Sequence, residues 1–320
     1  MRAVLSRLAL AIGLLTLSAP VLAQPYPDKP IRLVIPTTPG GGTDAIGRVV
    51  GEVLAARFRV PVVPENRPGA SARKAADHVV KSPPDGYTIM IAQNAHVTNP
   101  AFFKKLPYDT LKDFTPIATV AMSPLVLVAS GESKLTSWGE LVAQAKREPD
   151  SLSCATADSS SRLAVEQINE AAKMKLVALP YKGTGPAVND VAGGHVNCTV
   201  TTIASILPFK GTGRAHVLAV LGNERSPFLP DVPTLAELGV SGVEVKGWWG
   251  IFGPAHLPAA TVEQLNEAIR TALAQPKVQA AIQTVSADPW IGTAQDLDQF
   301  VRREVPKIQR LAKQAGIEPE

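Results

Sequence analysis

The run Ile31-Arg-Leu-Val-Ile-Pro-Thr-Thr-Pro-Gly-Gly-Gly-Thr-Asp-Ala-Ile-Gly-Arg-Val-Val50 decides the fold class. Its first six residues form an apolar run of β-prone type. From Ile46 onward, Ile46, Val49, Val50, Val53 and Leu54 recur at the spacing of one helix face. Between strand and helix lies Pro39-Gly-Gly-Gly-Thr-Asp44, with Thr43 placed to cap the helix. Three glycines let a backbone approach a ligand closely, and a helix start offers unpaired N–H groups to an anion. No Lys-Ser/Thr pair follows, and the glycines do not have the G-x-G-x-x-G spacing, so neither common nucleotide loop is present. A tight strand-to-helix turn without a ligand is the alternative reading.

Outward from this run the same alternation continues. Continuous apolar stretches at 31–36, 62–65, 88–92, 116–120, 125–129, 152–156, 176–179, 196–201, 216–221 and 248–252 read as strands covered on both faces. Helix starts with capping-box spacing follow at Ser137-Trp-Gly-Glu140, Thr234-Leu-Ala-Glu237 and Thr261-Val-Glu-Gln264. Pro276 interrupts the C-terminal helical region. A long helix from about 293 to 313 carries the stripe Leu297, Phe300, Val301, Ile308 and Leu311 and stops before Gly316. The pattern is α/β with mostly parallel strands. Ten strands favour two sheets, a single continuous sheet being the alternative, and residues 120–124 and 245–250 are the candidate crossings between them.

Residues 1–23 read as an export signal. Arg2 and Arg7 precede the apolar run Leu8 to Leu17, and Val21-Leu22-Ala23 supplies a cleavage site before Gln24. The run is shorter than the roughly 20 residues a membrane span requires. Loss of this segment removes two arginines and no acid, so the net charge falls from +4 to +2. The absence of basic runs interleaved with aromatics argues against nucleic acid. Cys154 and Cys198 alone cannot build a metal cluster, and no histidine stands at ligand spacing, so neither a metal nor a cofactor is expected. The two cysteines are expected on neighbouring strands, as buried thiols or a marginal bond.

Two further junctions carry polar chemistry. Asp158-Ser-Ser-Ser-Arg162 follows the strand at 152–156, and Gln93-Asn-Ala-His96 follows the strand at 88–92. Ligands of open α/β sheets collect at the carboxyl ends of strands. A guanidinium beside a helix start suits a carboxylate, so Arg162 is expected to help select ligand charge, and an over-supplied N-cap is the alternative. Among the five histidines only His96 falls at such a junction. No G-x-S-x-G or H-E-x-x-H motif is present.

The segments Tyr26-Pro-Asp-Lys-Pro-Ile-Arg-Leu-Val-Ile-Pro36, Pro39 to Asp44, Glu65-Asn-Arg-Pro-Gly69, Pro84-Asp-Gly-Tyr-Thr88, Leu106-Pro-Tyr-Asp109, Lys112-Asp-Phe-Thr-Pro116, Pro180-Tyr-Lys-Gly183 and Leu229-Pro-Asp-Val-Pro-Thr234 occur in that order. Together they resemble the substrate-binding proteins of tripartite tricarboxylate transporters, the Bug receptors, over essentially the whole chain after residue 23. The resemblance implies a periplasmic, non-catalytic receptor with a two-lobed periplasmic-binding-protein fold. Lobe 1 would comprise residues 24–122 and 248–320, and lobe 2 residues 123–247. It also implies a small organic acid held in the cleft, largely by backbone groups and ordered waters. The acid would pass to a membrane permease of one large and one small subunit, the receptor acting as a monomer. The expected contacts are Thr38, Gly41, Gly42, Thr43, Gln93, Asn94, His96, Ser159, Ser160, Ser161, Arg162, Tyr181, Thr201 and Thr202. The chain departs from the family pattern at Gln93-Asn94-Ala95, usually rich in Ser, Gly and Thr, and at the shortened stretch 158–162. It departs again at Thr201, where an acid is common, and at Ala70-Ser-Ala-Arg-Lys74, which replaces a glycine-rich continuation. A receptor reporting to a signalling partner, or a secreted hydrolase or isomerase using His96 as base, are the rival functions.

Overall fold

The computed structural model describes residues 26–243 and 245–319, so the expected export segment lies outside the described residues. The chain runs β1 (Ile31–Ile35), α1 (Gly42–Phe58), β2 (Val62–Asn66), α2 (Arg73–Val80), β3 (Thr88–Ala92) and α3 (Ala95–Phe102). A long strand β4 (Phe114–Ser130) follows, then α4 (Trp138–Arg147), β5 (Leu152–Thr156), α5 (Ser159–Ala172), β6 (Leu176–Pro180), α6 (Thr184–Ala192), β7 (Cys198–Thr202), the single turn α7 (Ile203–Ile206) and β8 (Ala215–Val220). The chain returns through β9 (Lys246–Pro254), α8 (Ala259–Leu273), α9 (Pro276–Gln283), β10 (Asp288–Pro289) and α10 (Ala294–Gln314).

Two expected strands, 116–120 and 125–129, are one 17-residue strand. Hydrogen bonding is continuous in the order β2-β1-β3-β9-β4-β7-β5-β6, yet the sheet divides along β4. The first part of β4 pairs antiparallel with β9 and β10, and its last part pairs antiparallel with β7 and β8. The strands β2, β1 and β3 are mutually parallel, as are β6, β5 and β7. The outcome is two parallel triplets joined by an antiparallel ribbon, and each triplet has the strand order 2-1-3.

Both candidate crossings are therefore extended chain: 120–124 lies inside β4, and most of 245–250 lies inside β9. They pair from Phe114↔Pro254 to Pro124↔Lys246. Pro116 cannot donate to a ladder, and it sits where the register shifts, as a bulge permits.

Apolar cores form on both sides of the ribbon. In the first part, Leu33, Ile35, Ile46, Leu54, Ile91 and Trp249 belong to one buried cluster. In the second, Leu127, Leu141, Cys154, Ile168 and Cys198 belong to another. Cys154 and Cys198 are register partners on β5 and β7, free and fully buried, as the strand order requires.

Of the expected helix starts, Ser137 with Glu140 forms a capping box, and α10 is capped by Thr293 with Asp296, a device of about 1 kcal/mol. Thr234 and Glu237 exchange the expected bonds at 2.8 and 3.0 Å but enclose a turn. Thr261 is no cap, because α8 has already begun at Ala259 behind Pro258.

Candidate functional site

The loops at the carboxyl ends of β1, β2, β3, β5, β6 and β7 face one another across a single cavity of about 990 Å³. Of the fourteen expected contacts, Thr38, Gly41, Gly42, Thr43, Gln93, Asn94, Ser160, Ser161, Tyr181, Thr201 and Thr202 line it. His96, Ser159 and Arg162 do not.

At the first junction the N-cap of α1 is Gly41, not Thr43, and no side chain caps the helix. A glycine at this position leaves the first-turn N–H groups without an intrachain side-chain acceptor, and they are open to an anion. Asp44 does not interfere. Its carboxylate accepts from Gly40 N–H (3.0 Å), Arg48 Nε (2.9 Å) and Asn66 Nδ2 (2.9 Å), and it is turned away from the cavity. Those hydrogen bonds outweigh the opposing effect of burial and hold its pKa below the ordinary carboxylate value. Gly42 packs against the other side of the cleft, where an added Cβ would stand 3.1 Å from Ala204 Cβ.

The second junction is built differently. Asp158 caps α5 with its own carboxylate, accepting from Ser161 N–H at 2.9 Å. Ser160 Oγ donates to that carboxylate at 2.7 Å, and Ser161 Oγ accepts the N–H of Ala157 at 2.9 Å. Ser159 is turned out of the cavity into a buried contact with α3. It donates to Asn99 Oδ1 at 2.9 Å and shares a 2.5 Å hydrogen bond with Thr98. Arg162 lies over the ring of Phe102, 5.5 Å from its centroid. The helix start is satisfied internally, so the expected anion mouth is a capped helix joining α5 to α3.

At the third junction His96 is also corrected. It is 4 % exposed and packed between Phe114 and Phe252, each 4.7 Å away by ring centroids. Burial pushes its pKa down to about 3, so the ring is neutral. A ring enclosed by aromatics, away from the cavity, offers no base to a ligand. Asn94 reaches the cavity wall, but its amide is spent on β9: it donates to Lys246 O at 2.9 Å and accepts Trp248 N–H at 3.0 Å. It continues the β3–β9 ladder as a side chain. Gln93 Oε1 accepts from Thr43 Oγ1 at 2.5 Å, and Trp249 Nε1–H donates to the same hydroxyl at 2.8 Å.

In the second half, Tyr181 presents its ring, because its hydroxyl donates to Asp190 at 2.6 Å; that bond, with burial, pushes its pKa up to about 12. The helix start at Gly183, φ 133°, carries no side-chain cap and lines the cavity with Lys182 and Thr184. Of this junction only Tyr181 was among the expected contacts, although Pro180-Tyr-Lys-Gly183 is a strand end followed by a glycine.

Lys74, noted in the sequence only within the stretch 70–74, was not among the expected contacts. Among the described residues, neither Lys74 nor Lys182 has an ion pair, and both line the cavity. Arg73 is held by Ala70 O at 2.9 Å and by the ring of Phe103 at 3.6 Å. The only acid on the wall, among the described residues, is Asp158, which serves the cap.

The sequence from 46 to 317 matches the model of the tripartite tricarboxylate transporter family receptor. The chain belongs to that family. It is 32 % identical to protein BugT of Bordetella pertussis over 320 residues, covering 98 % of each chain. Among solved structures it is similar to Rpa4515 of R. palustris with adipate, at a TM-score of 0.89 and 32 % identity over 92 % of this chain and 100 % of that one. It is also similar to the periplasmic binding protein BugD, TM-score 0.86 and 31 % identity over 92 % and 100 %. MatC from Rhodopseudomonas palustris with bound malate matches at TM-score 0.83 and 29 % identity, over 89 % and 99 %. The fold is that of a two-lobed solute-binding receptor, and the family is one of receptors rather than enzymes.

Proposed function

We propose that this receptor works in the periplasm as a monomer, captures a small organic carboxylate between its lobes and hands it to a permease of one large and one small subunit. Lobe 1 is residues 24–122 with 248–320, and lobe 2 is 123–247. The observation that carries the reading is the uncapped start of α1, open to the cavity, with its own acid turned away. A helix dipole and bare N–H groups hold a carboxylate without a full counter-charge. The unpaired Lys74 and Lys182 add a positive field, which steers anions inward. Adipate and malate, named with two relatives, are ligands of the same class.

The contacts we assign are Thr38, Gly41, Gly42, the backbone N–H of Thr43, and Gln93 from lobe 1. From lobe 2 they are Tyr181, Thr201 and Thr202, together with Lys74 of lobe 1 and Lys182 to Thr184 as additions. A thermal-shift screen of the mature protein against organic acids tests the reading. A ligand at 100 times its Kd adds about 2.7 kcal/mol of stability. Stabilisation by neutral sugars or by cationic amino acids, and by no carboxylate, overturns it. A co-purification screen with membrane and sensor proteins separates delivery from signalling.

A further inference from the structure

The amide of Gln93 is oriented by a donor chain that starts in the crossing strand. Trp249, on β9, is 2 % exposed, and its indole nitrogen can only donate. It donates to Thr43 Oγ1 at 2.8 Å. Thr43 is 6 % exposed, and its one other partner among the described residues is the end of the Gln93 side chain, 2.5 Å away. If Gln93 turned its NH2 toward Thr43, the hydroxyl would accept twice and its own proton would have no acceptor among the described residues. A buried polar hydrogen left without a partner costs about 1–3 kcal/mol. The oxygen of Gln93 therefore faces Thr43, and its NH2, which has no hydrogen bond to another described residue, belongs to the cavity side that Gln93 lines.

We propose that Trp249 and Thr43 are positioning residues that fix Gln93 as a hydrogen-bond donor, so that the cleft selects a carboxylate over the carboxamide of the same skeleton. This rests on the carboxylate reading above. Beside Gln93, and bonded to it through Thr43, lies the α1 start, whose first-turn N–H groups have no side-chain cap, so the donors of both converge on this part of the wall. A carboxylate accepts from every one of them. A carboxamide brings its own NH2 against a donor and leaves one group unmatched.

The test has two arms. The first needs no ligand. In spectra of 15N-labelled mature protein, the indole N–H signal of Trp249 is assigned through Trp249→Phe. Thr43→Val is expected to shift that signal and the Gln93 side-chain NH2 pair, and Thr43→Ser, which keeps the hydroxyl, to restore both. The second arm measures binding of succinate, glutarate and adipate, each against its mono-amide, by calorimetry. The wild type is expected to prefer the best acid over its mono-amide by about tenfold or more, the worth of one unmatched hydrogen bond. In Thr43→Val, and in Trp249→Phe, where water admitted to the vacated indole space can take the Thr43 proton, Gln93 can turn over and accept from the amide, so the ratio falls toward unity, and Thr43→Ser keeps it. Loss of affinity for acid and amide alike, at constant ratio, is what a merely structural role predicts and overturns the proposal. So do unchanged indole and amide signals in Thr43→Val. If no carboxylate binds the wild type, the carboxylate reading fails and the selection with it, and the spectra still report whether the donor chain exists.

Discussion

The helix start at residues 40–44 is bare, and the one at 158–162 is occupied by its own carboxylate. Both follow a strand at its carboxyl end, both are polar, and each contributes residues to the cavity wall. At the first, Asp44 is drawn off by Arg48, Asn66 and the N–H of Gly40, which leaves the helix N–H groups to an incoming anion. At the second, Asp158 accepts the Ser161 N–H itself, and the three serines and Arg162 are engaged with it or with α3. An acid one turn into a helix can be turned aside, whereas an acid at the cap position fills the site. Hydroxyl and guanidinium content alone does not make an anion mouth.

The largest test of that contrast is at the bare start. Gly41 has φ −88° and nothing in the protein near an added Cβ, so Gly41→Val should fold normally and report on the ligand alone. Its affinity should fall about 100-fold, or about 2.7 kcal/mol, by calorimetry. Gly42→Val should lose still more, because its side chain also presses on Ala204 across the cleft. Normal binding by both variants moves the carboxylate seat elsewhere.

The third junction gives the next effect. His96 has a folded-state pKa of about 3 against an ordinary 6.5, so the unfolded chain takes up its proton first. The stability it contributes is present above pH 6.5 and is lost as pH falls from there toward 3, with a slope of up to about 1.4 kcal/mol per pH unit. Urea unfolding between pH 7 and 5 should show this slope, and His96→Leu should reduce it, leaving the part due to His78, whose pKa burial also lowers. An unchanged slope in the variant assigns the dependence to other groups.

At the occupied start, Asp158→Ala should cost about 1 kcal/mol of unfolding free energy through loss of the cap. Arg162→Ala should leave affinity within about twofold and cost about 0.5–1 kcal/mol of stability through loss of the Phe102 contact. A tenfold loss of affinity in Arg162→Ala would restore the second junction as a ligand site. The smallest effect is at the rim: Lys74→Gln and Lys182→Gln should each weaken binding by about two- to fivefold at low salt, as exposed charges do. The difference should vanish at 1 M salt, where the Debye length is about 3 Å.

The contrast also shows what a chain of residue types can carry. The strands were legible because both faces of each triplet are covered, which makes runs such as 88–92 continuously apolar. The fusion of 116–120 with 125–129 was not, because Met122-Ser-Pro124 looks like a break; pairing with β9 and the 2.8 Å bond from Ser123 Oγ to Ser286 O hold it extended. The two-residue strand β10 has no periodicity to read. The glycine loop between β1 and α1 was legible from its own chemistry, but its cap was expected at Thr43 and is Gly41. The fates of Ser159 and Arg162 depend on α3, some 60 residues away in sequence, and the bond from Trp249 to Thr43 spans 206 positions. Partners at such separation leave no local pattern.

The aligned thiols of Cys154 and Cys198 have a use as a clock. Both are fully buried on adjacent strands of one triplet, and burial, with the neighbouring thiol, pushes Cys154 well above the ordinary thiol pKa. A thiol in that condition is a poor nucleophile until water reaches it. Alkylation of either cysteine by an external reagent then proceeds only as fast as β5 and β7 come apart. With reagent in excess, mass spectrometry of the modified chain times the opening of the second-lobe sheet without any engineered label.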